Sequence, residues 1–299
     1  MGGLIDDKSA SLALQVVQLR YWQHIMNEDL KKKVFTIPIH VAFGSEAIAV
    51  AASSCMKLDD RLVLTHRNMA FNLARVSELK IIYDEYRLSS EGVCGGRKGS
   101  MNLINPLRGV IYSSSILGNN FSVACGVALH KRVQKKPEIV IVTTGDGAME
   151  EGGFYEALTF ARSQDLKVVF LIENNNHSMS STISQRRCPI YIDKMCDALD
   201  IPYKRLASND VFEYASEFAN MRARVLDSSC PVCIEVETVL MNQHAGPTPG
   251  WPTDPMSVSL SDGLIIREST GDPLFILKNK IGDTAFESIT ADVLSTKWA

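Results

Sequence analysis

The 299-residue chain contains no run of eighteen consecutive apolar residues, which excludes a long apolar helix spanning a membrane. Charge imbalance is also lacking. The net charge is −3, so nothing draws the chain towards nucleic acid or an anionic membrane surface. The opening residues, Met1-Gly2-Gly3-Leu4-Ile5-Asp6-Asp7-Lys8, lack the basic and apolar regions of a secretory leader, and a cytoplasmic protein is expected. Seven cysteines is an odd count, for which reduced thiols are expected rather than a disulfide framework. Cys230-Pro231-Val232-Cys233 has no second CxxC to complete a zinc site, and it opens an alternating run that reads as a strand. Repeats, low-complexity segments and linkers are absent as well. With 45% hydrophobic residues the chain has ample material for a core, and residues 1–299 read as a single domain.

The pattern along the chain is that of alternating strands and helices. Leu12, Val16, Leu19, Trp22 or Gln23, Met26 and Leu30 fall at helical spacing and predict a surface or partner-packing helix over about 8–33, closed by Lys31-Lys32-Lys33. Ala47–Lys57 reads as a helix with Ser45 as its N-cap. Arg61–Thr65 reads as a short strand and Asn68–Lys80 as one helix. Gly92–Gly99 is the most glycine-dense segment and predicts a loop. A small-residue helix over Ser122–Val133 follows a polar turn. Helices are expected at Asp193–Leu199 and Asp210–Leu226, a strand near 232–240, a long loop over Gln243–Pro255 and a helical tail over about 273–298. Long loops without structure of their own are usually functional.

The most informative stretch runs from Gly145 to Asn175. Ile139-Val140-Ile141-Val142 leads into Gly145-Asp146-Gly147, and Val168-Val169-Phe170-Leu171-Ile172 leads into Asn174-Asn175, with a helix-like segment over Gly152–Ser163 between them. A right-handed crossover puts both polar clusters on one edge of a parallel sheet, where open α/β sheets bind ligands. Asp146 and Asn175 then offer a carboxylate and an amide oxygen to a hard cation such as Mg²⁺ or Ca²⁺ that also holds a phosphate. Glu150 and Glu151 read as helix N-terminal caps.

Gly-Asp-Gly followed at this distance by Asn-Asn resembles the signature of thiamine diphosphate enzymes. The resemblance extends over most of the chain to the α subunit of the E1 component of 2-oxo acid dehydrogenases (pyruvate, branched-chain and acetoin). His40–Val50 is similar to that family's His-x-x-x-Gly-Gln-Glu-Ala segment, with Ser45 for Gln. Thr65-His66-Arg67 resembles its Thr-His/Tyr-Arg, and Gly95–Met101 its Gly-Lys-Gly-Gly-Ser-Met loop. Ser115-Ile116-Leu117-Gly118 resembles its Gly-Ile-Val-Gly turn, Pro231–Glu235 its Pro-x-Leu-Ile-Glu, and His244 with Asp254-Pro255 its active-site loop. The sequence departs from the family at Met69 and Asn102, where histidines are usual. It departs again at Leu240, where an arginine is common, and at Asn242-Gln243, which replace Arg-Gly.

The resemblance implies an α/β thiamine diphosphate-binding fold, with a mostly parallel central sheet and helices on both faces. It implies thiamine diphosphate as cofactor with Mg²⁺ (or Ca²⁺ or Mn²⁺) held by Asp146, Asn175 and the backbone oxygen of His177. The cofactor would be met by His66 and Arg67, by Ile116, Leu117 and Gly118, by Gly145, Asp146, Gly147 and Ala148, and by Asn175 and His244. His244 and His66 are the candidate catalytic groups. One module holds only the diphosphate half, so a β-type chain supplying the pyrimidine-side Glu is expected, in an α₂β₂ heterotetramer. The implied activity is cleavage or decarboxylation of a 2-oxo acid or ketose-like donor with transfer of the acyl or aldehyde unit, with a lipoyl acyltransferase as a further partner. Half of a split transketolase or acyloin-forming carboligase, and a non-catalytic partner subunit, are the other readings.

Overall fold

The computed structural model describes residues 6–242 and 258–296. The chain begins with helix α1 (Asp7–Lys31) and α2 (Glu46–Cys55), then strand β1 (Arg61–Thr65), α3 (Met69–Leu73), α4 (Lys80–Tyr86) and β2 (Val110–Ser114). Next come α5 (Asn119–Val133), β3 (Val140–Gly145), α6 (Gly152–Ser163) and β4 (Val168–Asn174). A small excursion follows: β5 (His177–Ser178), β6 (Ser181–Thr182) and α7 (Ile183–Arg186). The remainder is α8 (Ile192–Ala198), β7 (Tyr203–Leu206), α9 (Val211–Ser228), β8 (Val232–Glu237), α10 (Pro273–Ile281) and α11 (Asp283–Ser295).

Six strands form one sheet in the order β2-β1-β3-β4-β8-β7, and every pairing in it is parallel. Both faces are covered, as an all-parallel sheet requires. Leu62, Ile141, Val169, Leu171 and Ile234 point into the larger core with α1, α2 and α9. Val63, Val140, Val142, Val168, Phe170 and Ile172 point into the second core with α5, α6 and α8. Alternate residues of β3 and β4 therefore serve opposite layers, so both strands open as apolar runs, Val140–Val142 and Val168–Ile172, before their polar ends. The order reverses beside β1: the chain leaves β1 for β2 on one side and returns to β3 on the other. Crevices at the carboxyl ends of strands flanking such a switch are where α/β sheets take ligands.

Several boundaries differ from expectation. The N-terminal helix is a core element, because Arg20, Gln23, His24 and Asn27 are buried along with its apolar stripe. Arg20 sits between Glu46 (2.6 Å) and Asp272 (2.9 Å), all three fully buried, and locks α1 to α2 and to the start of α10. Burial alone would raise the Asp272 carboxyl, but Arg20 outweighs it and holds the group below its ordinary range. Of the helix expected over 68–80 only the five residues of α3 form, and α4 starts at Lys80: Ser53 Oγ bonds the Ala74 carbonyl (2.9 Å), diverting an acceptor that a continuing helix needs. The tail is two helices, parted at Gly282 with φ +84°. The last strand stops at Glu237 rather than 240, and all seven cysteines are unpaired. No helix among the described residues is long and apolar enough to cross a membrane.

Candidate active site

Strands β1, β3 and β4 end side by side, and the turns that follow them form one cavity. It is lined by His66 and Arg67 after β1, Gly145, Gly147 and Ala148 at β3, Glu173, Asn175, His177 and Ser178 at and after β4, and Leu117 ahead of α5. Asp146 lies just beneath, 1% exposed. The cavity is small, about 60 Å³, against roughly 300–1,000 Å³ for pockets that enclose a whole small ligand.

The Asp146–Asn175 juxtaposition expected from the sequence is present. The backbone N–H of Asn175 donates to Asp146 Oδ1 (3.3 Å), and Asn175 Oδ1 accepts the His177 N–H (2.9 Å), closing a tight turn. Gly147 is required by close approach, since a Cβ there would sit 2.5 Å from Ser178 Oγ. Gly118 adopts φ +81° at the start of α5, where a Cβ would lie 2.7 Å from the Cβ of Glu151. Ile116, by contrast, is 68% exposed and lines no part of the cavity.

Arg67 is buried, and its Nη1 donates to the Val41 carbonyl (2.8 Å). Burial lowers its pKa to about 10, with Glu173 pulling the other way. Glu173 is buried too, and desolvation pushes it up to about 7 against the Ser45 hydroxyl and Arg67. Ser45 thus stands at the N-cap position of α2 without a side-chain cap bond, its hydroxyl turned to Glu173. Burial, then Arg67, brings His66 down to about 4, so it is a neutral imidazole at physiological pH. His40 lies edge-on to it at 4.9 Å. Asn68 fixes the turn by donating to the Ser100 carbonyl and to Ser113 Oγ, both 2.9 Å.

Comparison with known proteins fits this geometry. The family model described as dehydrogenase E1 component matches residues 15–256. The chain belongs to that family. It is 26% identical over 223 residues to the α subunit of an acetoin:2,6-dichlorophenolindophenol oxidoreductase of Bacillus subtilis, covering 74% of this chain and 67% of that one. It is 27% identical over 206 residues to the pyruvate dehydrogenase E1 component subunit alpha of Rickettsia typhi, covering 69% and 63%. With the mitochondrial pyruvate dehydrogenase E1 component subunit alpha of Dictyostelium discoideum it shares 24% over 250 residues, covering 82% and 64%. The match therefore spans about two thirds of these relatives' length.

Against that E1 pattern, the positions of departure have structural consequences. Met69 is packed in the core at the start of α3, and Asn102 is exposed. The glycine loop over 92–99 is ordered by a carboxylate: Glu85, fully buried, accepts backbone N–H bonds from Cys94, Gly96, Lys98 and Gly99. Those amides are engaged and are not free donors for a phosphate. His244 and the rest of the 243–257 segment lie outside the described residues. Neither Glu150 nor Glu151 caps a helix through its side chain. Glu151 holds the N-cap position of α6 with no side-chain bond, and Glu150 binds Arg186 and Arg187.

Sequence reading missed Asn68, Glu173 and Arg186. Glu173 directly precedes Asn174-Asn175, and a charge at the end of an otherwise apolar strand was the available signal. Arg186 had none. It lies 40 residues from Asp146 and yet places Nη2 2.7 Å from Asp146 Oδ2. Burial raises the Asp146 carboxyl, and Arg186 and the Asn175 amide only partly offset that. The donor types, a carboxylate after β3 and an amide oxygen in the turn after β4, fit a hard divalent cation provided Arg186 leaves Asp146 and Asn175 Oδ1, now on the His177 N–H, shares its second lone pair.

Proposed function

We propose that this chain is the diphosphate-holding α-type half of a two-chain thiamine diphosphate enzyme that cleaves or decarboxylates a 2-oxo acid and passes on the acyl or aldehyde unit. One observation carries the reading: Arg67, Gly145, Gly147 and Asn175 line a single cavity at the switch point of a parallel sheet, with Asp146 bonded to the Asn175 N–H, in a chain of the E1 family. When bound, thiamine diphosphate supplies the electron sink for breaking a bond beside a carbonyl. The chain's own residues bind and orient it. Arg67 offers a planar fork to the diphosphate, its charge balanced by Glu173. Asp146, Asn175 and the backbone oxygen of His177 would hold Mg²⁺, Ca²⁺ or Mn²⁺. Gly147 lets backbone approach closely. His66, kept neutral by burial, can donate or accept a hydrogen bond to a substrate oxygen without adding charge.

A small cavity, with Leu117 43% exposed at its edge, suits a site completed by a second chain. A β-type chain would bring the pyrimidine-side carboxylate and close the site, in an α₂β₂ assembly. The dehydrogenase reading adds a lipoyl acyltransferase as acceptor. A split transketolase or acyloin-forming carboligase is favoured by one particular: Met69 and Asn102 stand where the family usually has histidines, leaving His66 and His177 as the described imidazoles lining the cavity.

The test is the composition of the complex that co-purifies with the chain, followed by thiamine diphosphate titration of that complex. A β-type chain with a lipoyl-bearing acyltransferase is expected for the dehydrogenase, and a β-type chain alone for the carboligase. A chain that purifies alone and binds no thiamine diphosphate would overturn both.

A further inference from the structure

We propose that Arg186 is a displaceable counter-ion of Asp146: its guanidinium holds the carboxylate until a divalent cation takes it, and then stays on Glu150. This rests on the reading of Asp146 as a metal ligand given above.

The arrangement has the parts such an exchange needs. Asp146 is 1% exposed, and a buried carboxylate without a cation is strongly disfavoured. Arg186 supplies that cation at 2.7 Å through Nη2. The same guanidinium has two other anchors. Nη2 and Nε lie 3.0 and 3.1 Å from Glu150 Oε1, and Nη1 donates to the Ser181 carbonyl at 2.7 Å. Losing Asp146 would therefore leave Arg186 paired rather than stranded. Arg187 Nε is also 2.7 Å from Glu150, so this carboxylate, 26% exposed, is the fixed post of the cluster.

A divalent cation and a guanidinium on one carboxylate repel each other at such separations, so the two compete for Asp146. Asn175 lies in the turn that leads into the short excursion β5-β6-α7, to which His177 and Arg186 belong. The excursion is tied to itself by the capping box of Thr182 and Gln185 and by the Ile183 N–H on Asn176 Oδ1 (3.2 Å). Two of the proposed ligands and their competitor are therefore carried on one segment, opposite Asp146 at the end of β3. Two consequences follow. The cation alone binds weakly, and an anionic diphosphate, which offsets the added positive charge of the cation beside Arg186, strengthens its binding. Coupling of this kind between two ligands is typically about 5–150-fold.

The experiment is titration of the full chain, in complex with its partner, with Mn²⁺ in the presence or absence of inorganic diphosphate, the protein-bound ion being counted by electron paramagnetic resonance against a protein-free sample of the same composition. Arg186→Gln is expected to bind Mn²⁺ alone about 10-fold more tightly than the native chain and to show a smaller gain from diphosphate. Arg186→Lys keeps the charge but cannot span Asp146 and Glu150 with a planar fork, and is expected to bind Mn²⁺ more tightly by a smaller factor. Arg186→Lys also carries the test if Arg186→Gln does not fold. Unchanged or weaker Mn²⁺ binding in the folded variants, with binding abolished by Asp146→Ala, overturns the counter-ion role and leaves the metal site standing. Mn²⁺ binding that survives Asp146→Ala in the native background overturns the metal site itself.

Discussion

Replacing Glu85 by Gln is expected to release the 92–99 loop while leaving the sheet in place. Each carboxylate oxygen of Glu85 serves two backbone donors. Oε2 takes Cys94 (2.8 Å) and Gly96 (2.9 Å), and Oε1 takes Lys98 (2.8 Å) and Gly99 (3.3 Å). Gln keeps one oxygen and turns an amide NH₂ towards the other pair, so two donors face a donor. An unsatisfied buried N–H costs about 1–3 kcal/mol, and bonds to a charged acceptor are worth about 1.5–3 kcal/mol. The loop is partly exposed, and water reaching the freed amides puts the loss near the lower end, about 3 kcal/mol. With a urea slope of about 3 kcal/mol/M, the unfolding midpoint falls by about 1 M. Amide exchange at one of the two donor pairs should accelerate by about 100-fold, because local opening would then cost less than global unfolding. Gly92 belongs to the same construction, since a Cβ there would lie 2.6 Å from Glu85 Oε2. A midpoint within about 0.2 M of the native chain, with exchange unaltered at all four amides, would refute the reasoning.

Other substitutions probe the site from different sides. Arg67→Lys should weaken thiamine diphosphate binding by about 10- to 100-fold, because a point charge replaces a planar fork in a buried position; isothermal titration giving native affinity would remove Arg67 from the diphosphate. Glu173 titrates at about 7 in the fold against 4.5 as its ordinary value. Its stabilising contribution is therefore complete below about pH 4.5 and is lost as pH rises through 7. Glu173→Gln should remove about 3 kcal/mol of that decline, and parallel stability–pH curves for the two proteins would contradict it. Gly118→Ala forces a side chain into φ +81° and against Glu151. It should cost about 1–2 kcal/mol and reduce cofactor affinity, and a variant with native melting temperature and affinity would show that this turn is not under constraint.

The central strand–helix–strand unit was legible because its signals are local. Apolar runs bounded by glycine and polar turns define β3 and β4, and the spacing between them fits one crossover helix, found at Gly152–Ser163 as expected. Arg61–Thr65 was found with its expected bounds for the same reason. The boundaries that failed were decided by distant partners. Helix α3 ends where Ser53 takes a carbonyl, and the N-terminal helix is buried because Glu46 and Asp272 receive Arg20. Strand β2, with serines at its end, and the short β7 carry too little apolar pattern to stand out.

The sequence by itself determined the family, the parallel α/β architecture and the meeting of Asp146 with Asn175, because strand periodicity and turn chemistry act over a few residues and a right-handed crossover does the rest. The tertiary structure alone decided how the charges of the site are satisfied. It places Arg186 on Asp146, Glu173 beside Arg67 and Ser45, and Glu85 inside the glycine loop. Such pairings follow from the need of buried polar groups for partners, and which partner is in reach is fixed only when the layers pack.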